Sequence, residues 1–178
     1  MRKLANEELN RLSVEDFKKT NKTPLVIVLD NVRSLNNIGS VFRTADAFLL
    51  EKIYLCGITA TPPHREIHKT ALGATDSMDW EYVAETKDCV TQLKQAGYII
   101  ISVEQANESV LLQNFQPDFS DKKYALVFGN EVEGVQEAVV TLSDFCIEIP
   151  QFGTKHSLNI AVSVGMVVWE FCKMLKQK

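Results

Sequence analysis

The chain lacks the sequence patterns that mark several common classes of protein. None of its 178 residues falls in a run of about 18 uncharged apolar residues, so we predict no membrane span. Residues 1–17 lack the apolar core of a signal peptide. The four cysteines are widely spaced and form no CxxC pair, which disfavours a zinc site or a disulfide framework. We therefore expect a cytoplasmic protein in which Cys56, Cys146 and Cys172 are small core residues.

Signatures of several catalytic classes are also missing. No GxGxxG follows an apolar run, which argues against a dinucleotide-binding fold, and no GxSxG elbow marks a hydrolase. The stretch 129–136 has the glycine spacing of a phosphate-binding loop but lacks its Lys and its Ser or Thr. His64 and His68 lie four residues apart without an HExxH pattern. We therefore predict no metal site and interpret both as loop histidines near a surface or a substrate.

Basic charge is scarce overall but is enriched at the start of the chain. The formal net charge is −4, which argues against a dominant basic surface for nucleic acid. Residues 1–22 hold six Lys or Arg against four acids, a surplus of +2 that leaves −6 for the rest. Ser13 to Asp16 resembles a capping box and predicts a helix start. We predict a basic arm at 1–22, which either meets RNA phosphates or is a solvated amphipathic helix, and one domain at 23–178.

After this arm, short apolar runs alternate with helical patterns. Continuous runs rich in branched residues predict buried strands at 25–30, 52–57, 98–103, 124–129 and 145–150. Helical patterns predict helices at 37–49, 86–96, 135–143 and 157–176. The alternation predicts a single-domain α/β fold, a mostly parallel sheet with helices on both faces.

Polar residues recur where the predicted strands end. The segments 30–33, 129–131 and 151–159 each follow a predicted strand and contain Asn, Asp, Glu, Arg, Ser or Lys. In open α/β sheets, ligands bind beyond the carboxyl ends of the strands. Convergence of three polar segments at this edge predicts an active site there.

The last predicted helix is apolar on more than one face. Val164, Val167 and Phe171 define one face, and Met166 and Trp169 widen it. A helix of this kind is usually buried on two sides. We predict a homodimer through this C-terminal helix, with burial within one chain as the alternative.

Three segments combine into one signature. They are NNIGSVFRTADAF at 36–48, LVFGNEVEGV at 126–135 and IPQFGTKHSLNIAVSVG at 149–165. Together they resemble the SpoU (TrmH) family of RNA ribose 2′-O-methyltransferases, within the SPOUT superfamily. The resemblance implies a deep C-terminal trefoil knot at about 125–160, S-adenosylmethionine as the methyl donor, and structured RNA (tRNA or rRNA) as the partner.

The resemblance also implies which residues form the site. Catalytic positions of the family correspond here to Asn37, Arg43, Glu131, Ser157 and Asn159. Donor-binding positions correspond to Gly129, Ile149 and Leu158. The chain departs from the family pattern at Gln151, where Met is frequent, and at Lys155 and His156, which are candidates for RNA contact.

The implied chemistry is attack of a ribose 2′-hydroxyl on the methyl group of a sulfonium. A guanidinium stays protonated at neutral pH, so we expect Arg43 to stabilise the developing oxyanion and to hold a phosphate. The proton then leaves to a phosphate oxygen, to water or to His156. Asn37 and Asn159 would orient the ribose or the donor, and Ser157 would brace its loop. These roles require Arg43 and the turn before the last helix to share one pocket.

Two other functions remain compatible with the residues. One is a catalytically inactive knotted protein that binds RNA or assists assembly, although the catalytic positions of the resemblance are all retained. The other is a small-molecule α/β enzyme, which the basic arm and the missing nucleotide fingerprint disfavour.

Overall fold

The computed structural model describes residues 1–175, with only the backbone described at positions 6 and 7. The end of the predicted last helix and of the predicted domain, residues 176–178, lies outside the described residues. The strands are β1 Thr23–Asp30, β2 Leu50–Cys56, β3 Trp80–Val83, β4 Tyr98–Val103, β5 Val110–Leu111, β6 Lys123–Phe128 and β7 Phe145–Glu148. The helices are α1 Val14–Lys19, α2 Leu35–Ala47, α3 Arg65–Ala71, α4 Ala74–Ser77, α5 Thr86–Gln95, α6 Glu137–Leu142 and α7 Ile160–Leu175, with 3₁₀ turns at Asn6–Leu9 and Leu112–Asn114.

The strands form one parallel sheet, which confirms the predicted α/β fold. Its order is β3-β2-β1-β6-β4-β7-β5, and every pairing between these strands is parallel. In the centre, Ile27 of β1 lies opposite Ile53 of β2 and Leu126 of β6. The carboxyl ends of β1, β6, β4 and β7 are therefore neighbours at one edge. The predicted trefoil knot stays a prediction, because strand order and pairing do not test it.

Helices cover both faces of the sheet, as predicted. Side chains alternate along β1 because the side-chain period of a strand is two. Leu25, Ile27 and Leu29 pack into a core with buried residues of α2, α3, α4 and α7. Val26 and Val28 pack into a second core with α5 and α6.

The sequence-based prediction misses β3, β5, α3 and α4. The strand β3 is an edge strand with two exposed central residues, so it carries no continuous apolar run. The helix α3 follows directly after the Pro62-Pro63 pair, whose peptide bond is cis. His64 caps it, with Nδ1 accepting a hydrogen bond from the Glu66 amide at 3.2 Å. The interpretation as a loop residue is therefore wrong for His68, which belongs to α3, whereas His64 precedes the helix, and both side chains are exposed as predicted.

Capping side chains set the start of the helices that matter for the site. Ser34 accepts a hydrogen bond from the Asn37 amide, so α2 starts at Leu35 rather than at 37. Ser13 caps α1 through the Asp16 amide, which confirms the predicted helix start. Phe17 of α1 is buried in the same core as α2. Within residues 1–175, no helix has the length and apolarity needed to cross a bilayer.

Candidate functional site

A cavity of about 300 Å³ lies beyond the carboxyl ends of β4, β6 and β7. We call it the main cavity. Its wall consists of residues 103–105, 128–134, 148, 149, 151, 156–158, 160 and 163. The volume is in the range of small-molecule sites, which have about 300–1,000 Å³. Two of the three predicted polar segments, 129–131 and 151–159, thus converge here, whereas residues 30–33 do not reach the wall.

The turn after β6 has a fixed shape. Asn130 and Gly134 pair through two backbone hydrogen bonds of 3.2 and 3.1 Å. The Asn130 Oδ1 accepts from the amides of Val132 and Glu133 at 3.0 and 2.9 Å. A Cβ at Gly129 would lie 1.8 Å from the carbonyl carbon of Gly134, so only glycine fits there. The predicted donor-binding position Gly129 therefore lies in a cavity wall that tolerates no side chain.

Glu104, which directly follows β4, holds this turn through its carboxylate. Its Oε2 accepts a hydrogen bond from the Val135 amide at 3.0 Å, and its Oε1 accepts from the Gln105 amide at 2.8 Å. Its own amide donates to the Ile147 carbonyl at 3.0 Å. Sequence reasoning missed Glu104, although it directly follows the apolar run 98–103. The rule that selected residues 129–131, a polar residue after a buried strand, would have found it.

A chain of hydrogen bonds joins the three signature segments. Asn37 of α2 donates through Nδ2 to Oε1 of Glu131 at 2.8 Å. Asn159 donates through its Nδ2 to Oδ1 of Asn37 at 3.1 Å. The three side chains are separated by 94 and 122 positions along the chain, so only the tertiary fold brings them together. The predicted catalytic residues Asn37, Glu131 and Asn159 thus form one cluster, whose Glu131 lines the main cavity.

The start of α7 supplies the opposite wall. Asn159 caps the helix, since its Oδ1 accepts from the Ala161 amide at 2.9 Å. Ile149, Ser157 and Leu158 all line the main cavity, as the prediction for these three residues requires. The helix starts three residues later than predicted, because Asn159 rather than Ser157 is the cap.

Acidic side chains dominate the charge of the main cavity. Glu104, Glu131, Glu133 and Glu148 line it, and its wall contains no Lys or Arg. Close carboxylates favour a cationic ligand and repel a phosphate. The cavity therefore suits an organic cation in apolar and acidic surroundings.

Arg43 is the predicted site residue that belongs neither to the wall of the main cavity nor to the hydrogen-bonded cluster of Asn37, Glu131 and Asn159. It lies six residues beyond Asn37 on α2, about 9 Å further along the axis and about 120° around it. Its side chain is exposed, is not part of the cavity wall, and has no ion pair with the described residues. The prediction that Arg43 shares a pocket with the turn before α7 therefore stays a prediction.

The amino-acid sequence matches the SpoU rRNA methylase family model over residues 24–169. It is 32% identical over 167 residues to the 23S rRNA (guanosine-2′-O-)-methyltransferase RlmB of Neisseria meningitidis, covering 90% of this chain and 63% of that protein. It is 30% identical over 158 residues to the tRNA (guanosine(18)-2′-O)-methyltransferase of Aquifex aeolicus, covering 86% of this chain and 71% of that enzyme. The chain thus spans just under two thirds of the Neisseria relative.

Solved structures of RNA methyltransferases have the same fold as this chain. The AdoMet-bound rRNA methyltransferase of Sinorhizobium meliloti superposes with a TM-score of 0.80 at 27% identity, over 89% of this chain and 60% of that one. The TrmH/SpoU tRNA modifying enzyme of A. aeolicus also has a TM-score of 0.80, at 26% identity, over 92% of this chain and 81% of that one. The family match covers most of the chain and includes all three signature segments. This chain is therefore a member of the SpoU rRNA methylase family.

Proposed function

We propose that this protein transfers a methyl group from S-adenosylmethionine to a ribose 2′-hydroxyl of tRNA or rRNA. The observation that carries the proposal is the hydrogen-bonded cluster of Glu131, Asn37 and Asn159 beside the main cavity. These residues come from three distant segments and meet where a methyl donor fits. Relatives named as rRNA and tRNA 2′-O-methyltransferases support the same activity.

The main cavity fits the methyl donor chemically. When bound, S-adenosylmethionine supplies a methyl group on a positively charged sulfur, next to an ammonium group. Backbone groups of Gly129, Ile149 and Leu158 would hold it, in agreement with their place in the wall. The carboxylate of Glu148 in the wall would balance its positive charge. Because the sulfonium charge disappears during transfer, the apolar parts of the wall favour the reaction.

The polar cluster would orient the acceptor ribose. Glu131 fixes the amide of Asn37 by accepting its Nδ2–H, and Asn37 in turn accepts from Asn159. Ser157, which is predicted to brace the loop before α7, lies in the wall of the main cavity and is exposed. A positioned hydroxyl reacts faster because its orientation is set before the barrier is crossed. The proton leaves to a phosphate oxygen, to water or to His156, which also lines the cavity.

The outer face of α7 supports a homodimer. Val162, Met166 and Trp169 are 51%, 42% and 57% exposed and follow one another at i, i+4 and i+7. A Cβ at Gly165, within the same stripe, would meet no atom within 4 Å. An apolar helix face with open space beside a glycine suits close packing against a second helix. The second copy of α7 is the partner that matches it, because symmetric homodimers pair identical surfaces.

Arg43 would then act on the main cavity of the partner chain. The buried face of α2 includes Ile38, Val41, Phe42 and Ala45, and it leaves Arg43 on the solvent-exposed side of the helix. The helix packs against α7, whose outer face is the proposed interface. An exposed guanidinium on a helix that packs against α7 would reach across that interface. There it would hold a phosphate and stabilise the developing 2′-oxyanion.

The test separates donor binding from turnover. We expect Arg43→Ala to bind S-adenosylmethionine within about twofold of wild type by calorimetry, but to lose about 100-fold or more in methyl transfer to total tRNA and rRNA. Wild-type turnover in this variant would contradict the role of Arg43. Donor binding by the wild type without any methyl transfer would instead favour the inactive RNA-binding protein.

Mixing two inactive variants tests whether the site is shared between chains. Arg43→Ala and Glu131→Ala chains, unfolded and refolded together, should recover about a quarter of wild-type activity if Arg43 acts across a two-fold interface. Each mixed dimer then contains one intact site. If Arg43 acts within its own chain, the mixture stays inactive.

A further inference from the structure

Phe152 is the most exposed phenylalanine among the described residues. Its relative exposure is 95%, whereas the next, Phe145, is 45% exposed and stacks edge-on against Phe115. Phe152 has no aromatic partner among the described residues. A phenylalanine held in water in this way loses the stabilisation that burial of its ring would give. A ligand that covers the ring would restore this stabilisation.

The surroundings of Phe152 identify what kind of ligand this is. Phe152 lines a second cavity of about 400 Å³, the side cavity, together with Lys155 and His156 of the same loop. Gln105, Glu148, Ile149, Gln151 and His156 line both cavities, so the side cavity adjoins the main cavity directly. A ligand seated on Phe152 thus lies beside the site of the proposed methyl transfer.

The charges of the two cavities differ. Four carboxylates line the main cavity without any Lys or Arg, which disfavours the approach of a phosphate. The side cavity has Glu148 as its one acid and adds the ammonium of Lys155. A cation combined with an exposed aromatic ring is the arrangement by which proteins bind unpaired nucleotides, the cation meeting phosphate and the ring stacking on a base.

We propose that Phe152 stacks on an unpaired base of the RNA substrate while Lys155 meets a neighbouring phosphate. The proposal rests on the proposed function and adds to it the side from which the RNA enters. The RNA approaches the main cavity over the loop 151–156, and Phe152 selects nucleotides that are not paired in a helix. Stacking tolerates any base, so this contact recognises unpaired character rather than sequence.

The test uses two single-stranded RNAs of about 12 nucleotides, within the size that such sites span. One is oligoadenylate, and the other has the same backbone with abasic riboses at its centre. By fluorescence anisotropy, Phe152→Ala should weaken binding of the base-bearing RNA by about 5- to 100-fold and leave binding of the abasic RNA within about twofold. Phe152→Trp should restore the affinity. Lys155→Ala should weaken binding of both RNAs and flatten the salt dependence.

Matched controls and donor binding make the outcomes distinguishable. Tyr82→Ala removes another exposed aromatic residue, at the sheet edge opposite β5 and β7, and should leave both affinities unchanged. Donor binding by Phe152→Ala, measured by calorimetry with S-adenosylmethionine, should equal that of wild type.

The proposal is overturned if wild type does not distinguish the two RNAs, or if Phe152→Ala behaves as wild type. Loss of donor affinity in Phe152→Ala would assign the ring to the donor instead. A different oligomeric state of the Phe152→Ala variant would assign the ring to a subunit interface. Failure of the wild type to bind the donor at all would contradict the proposed function itself, which the RNA measurements do not test.

Discussion

At the residue scale, the site depends on residues that fix the backbone around the main cavity. Gly129 allows the turn after β6 to pack closely against itself, and the Asn130 side chain accepts hydrogen bonds from two backbone amides of that turn. Glu104 then holds the turn against β4. Sequence patterns predicted Gly129 and Glu131, because each follows a buried strand in a family motif. They did not predict that Glu104 holds the turn, because this contact joins residues 31 positions apart in the chain.

Glu104→Gln tests this positioning role. The amide keeps the size of the side chain but provides only one acceptor oxygen for the amides of Val135 and Gln105. Loss of a hydrogen bond to a charged group costs about 1.5–3 kcal/mol, so we expect donor affinity to fall about 10- to 100-fold. Calorimetry with S-adenosylmethionine measures it. Glu108→Gln, an exposed acid four residues on, is the control, and equal affinities in both variants would refute the role.

At the element scale, one buried carboxylate ties three elements together at the functional edge. Asp30 at the end of β1 is fully buried. It accepts from the Thr86 hydroxyl at the start of α5 at 2.6 Å and from the Gln136 amide before α6 at 2.8 Å. Asn31 and the Gln136 side chain also donate to it, at 2.9 and 2.6 Å. The sequence analysis predicts that the segment 30–33 contributes to the ligand site at this edge of the sheet. Asp30 of this segment instead fixes the loop between β6 and α6, part of which lines the main cavity.

Asp30→Asn should destabilise the fold strongly. The side-chain amide nitrogen of the asparagine replaces one carboxylate oxygen of Asp30, so that a donor faces the donors that this oxygen accepted from. Buried polar groups are then left without hydrogen-bond partners. We expect a loss of about 3 kcal/mol in the free energy of unfolding, measured by urea denaturation. Asp88→Asn changes an exposed acid of α5 in the same way and should cost less than about 0.5 kcal/mol. A cost for Asp30→Asn as small as that of the control would show that the four hydrogen bonds contribute little.

At the scale of the whole molecule, the proposed homodimer decides whether Arg43 can act. We expect the wild type to have twice the chain mass of 20.0 kDa in light scattering after gel filtration. Trp169→Glu places a charge in the exposed stripe of α7, which a paired apolar interface cannot solvate. It should convert the protein to monomers and abolish turnover.

Ile58→Glu is the matched control for this change. Ile58 is 61% exposed, lies outside α7, and should tolerate the charge without a change of mass. A monomeric wild type, or a dimeric and active Trp169→Glu variant, would contradict an interface through α7.

The sequence by itself determined the parallel α/β fold and most of the elements, because continuous apolar runs mark buried strands and helical periodicity marks amphipathic helices. The short edge strands β3 and β5 and the helices α3 and α4 escaped it, since their stability comes from packing rather than from pattern. Only the tertiary structure decided that Asn37, Glu131 and Asn159 meet while Arg43 lies outside the wall of the main cavity. The spacing of Asn37 and Arg43 along α2 gives the angle between their side chains. Which of the two faces the main cavity depends on how α2 packs against the sheet and against α7. The roles of Phe152 and Glu104 likewise depend on the tertiary structure, because segments far away in the chain form their surroundings.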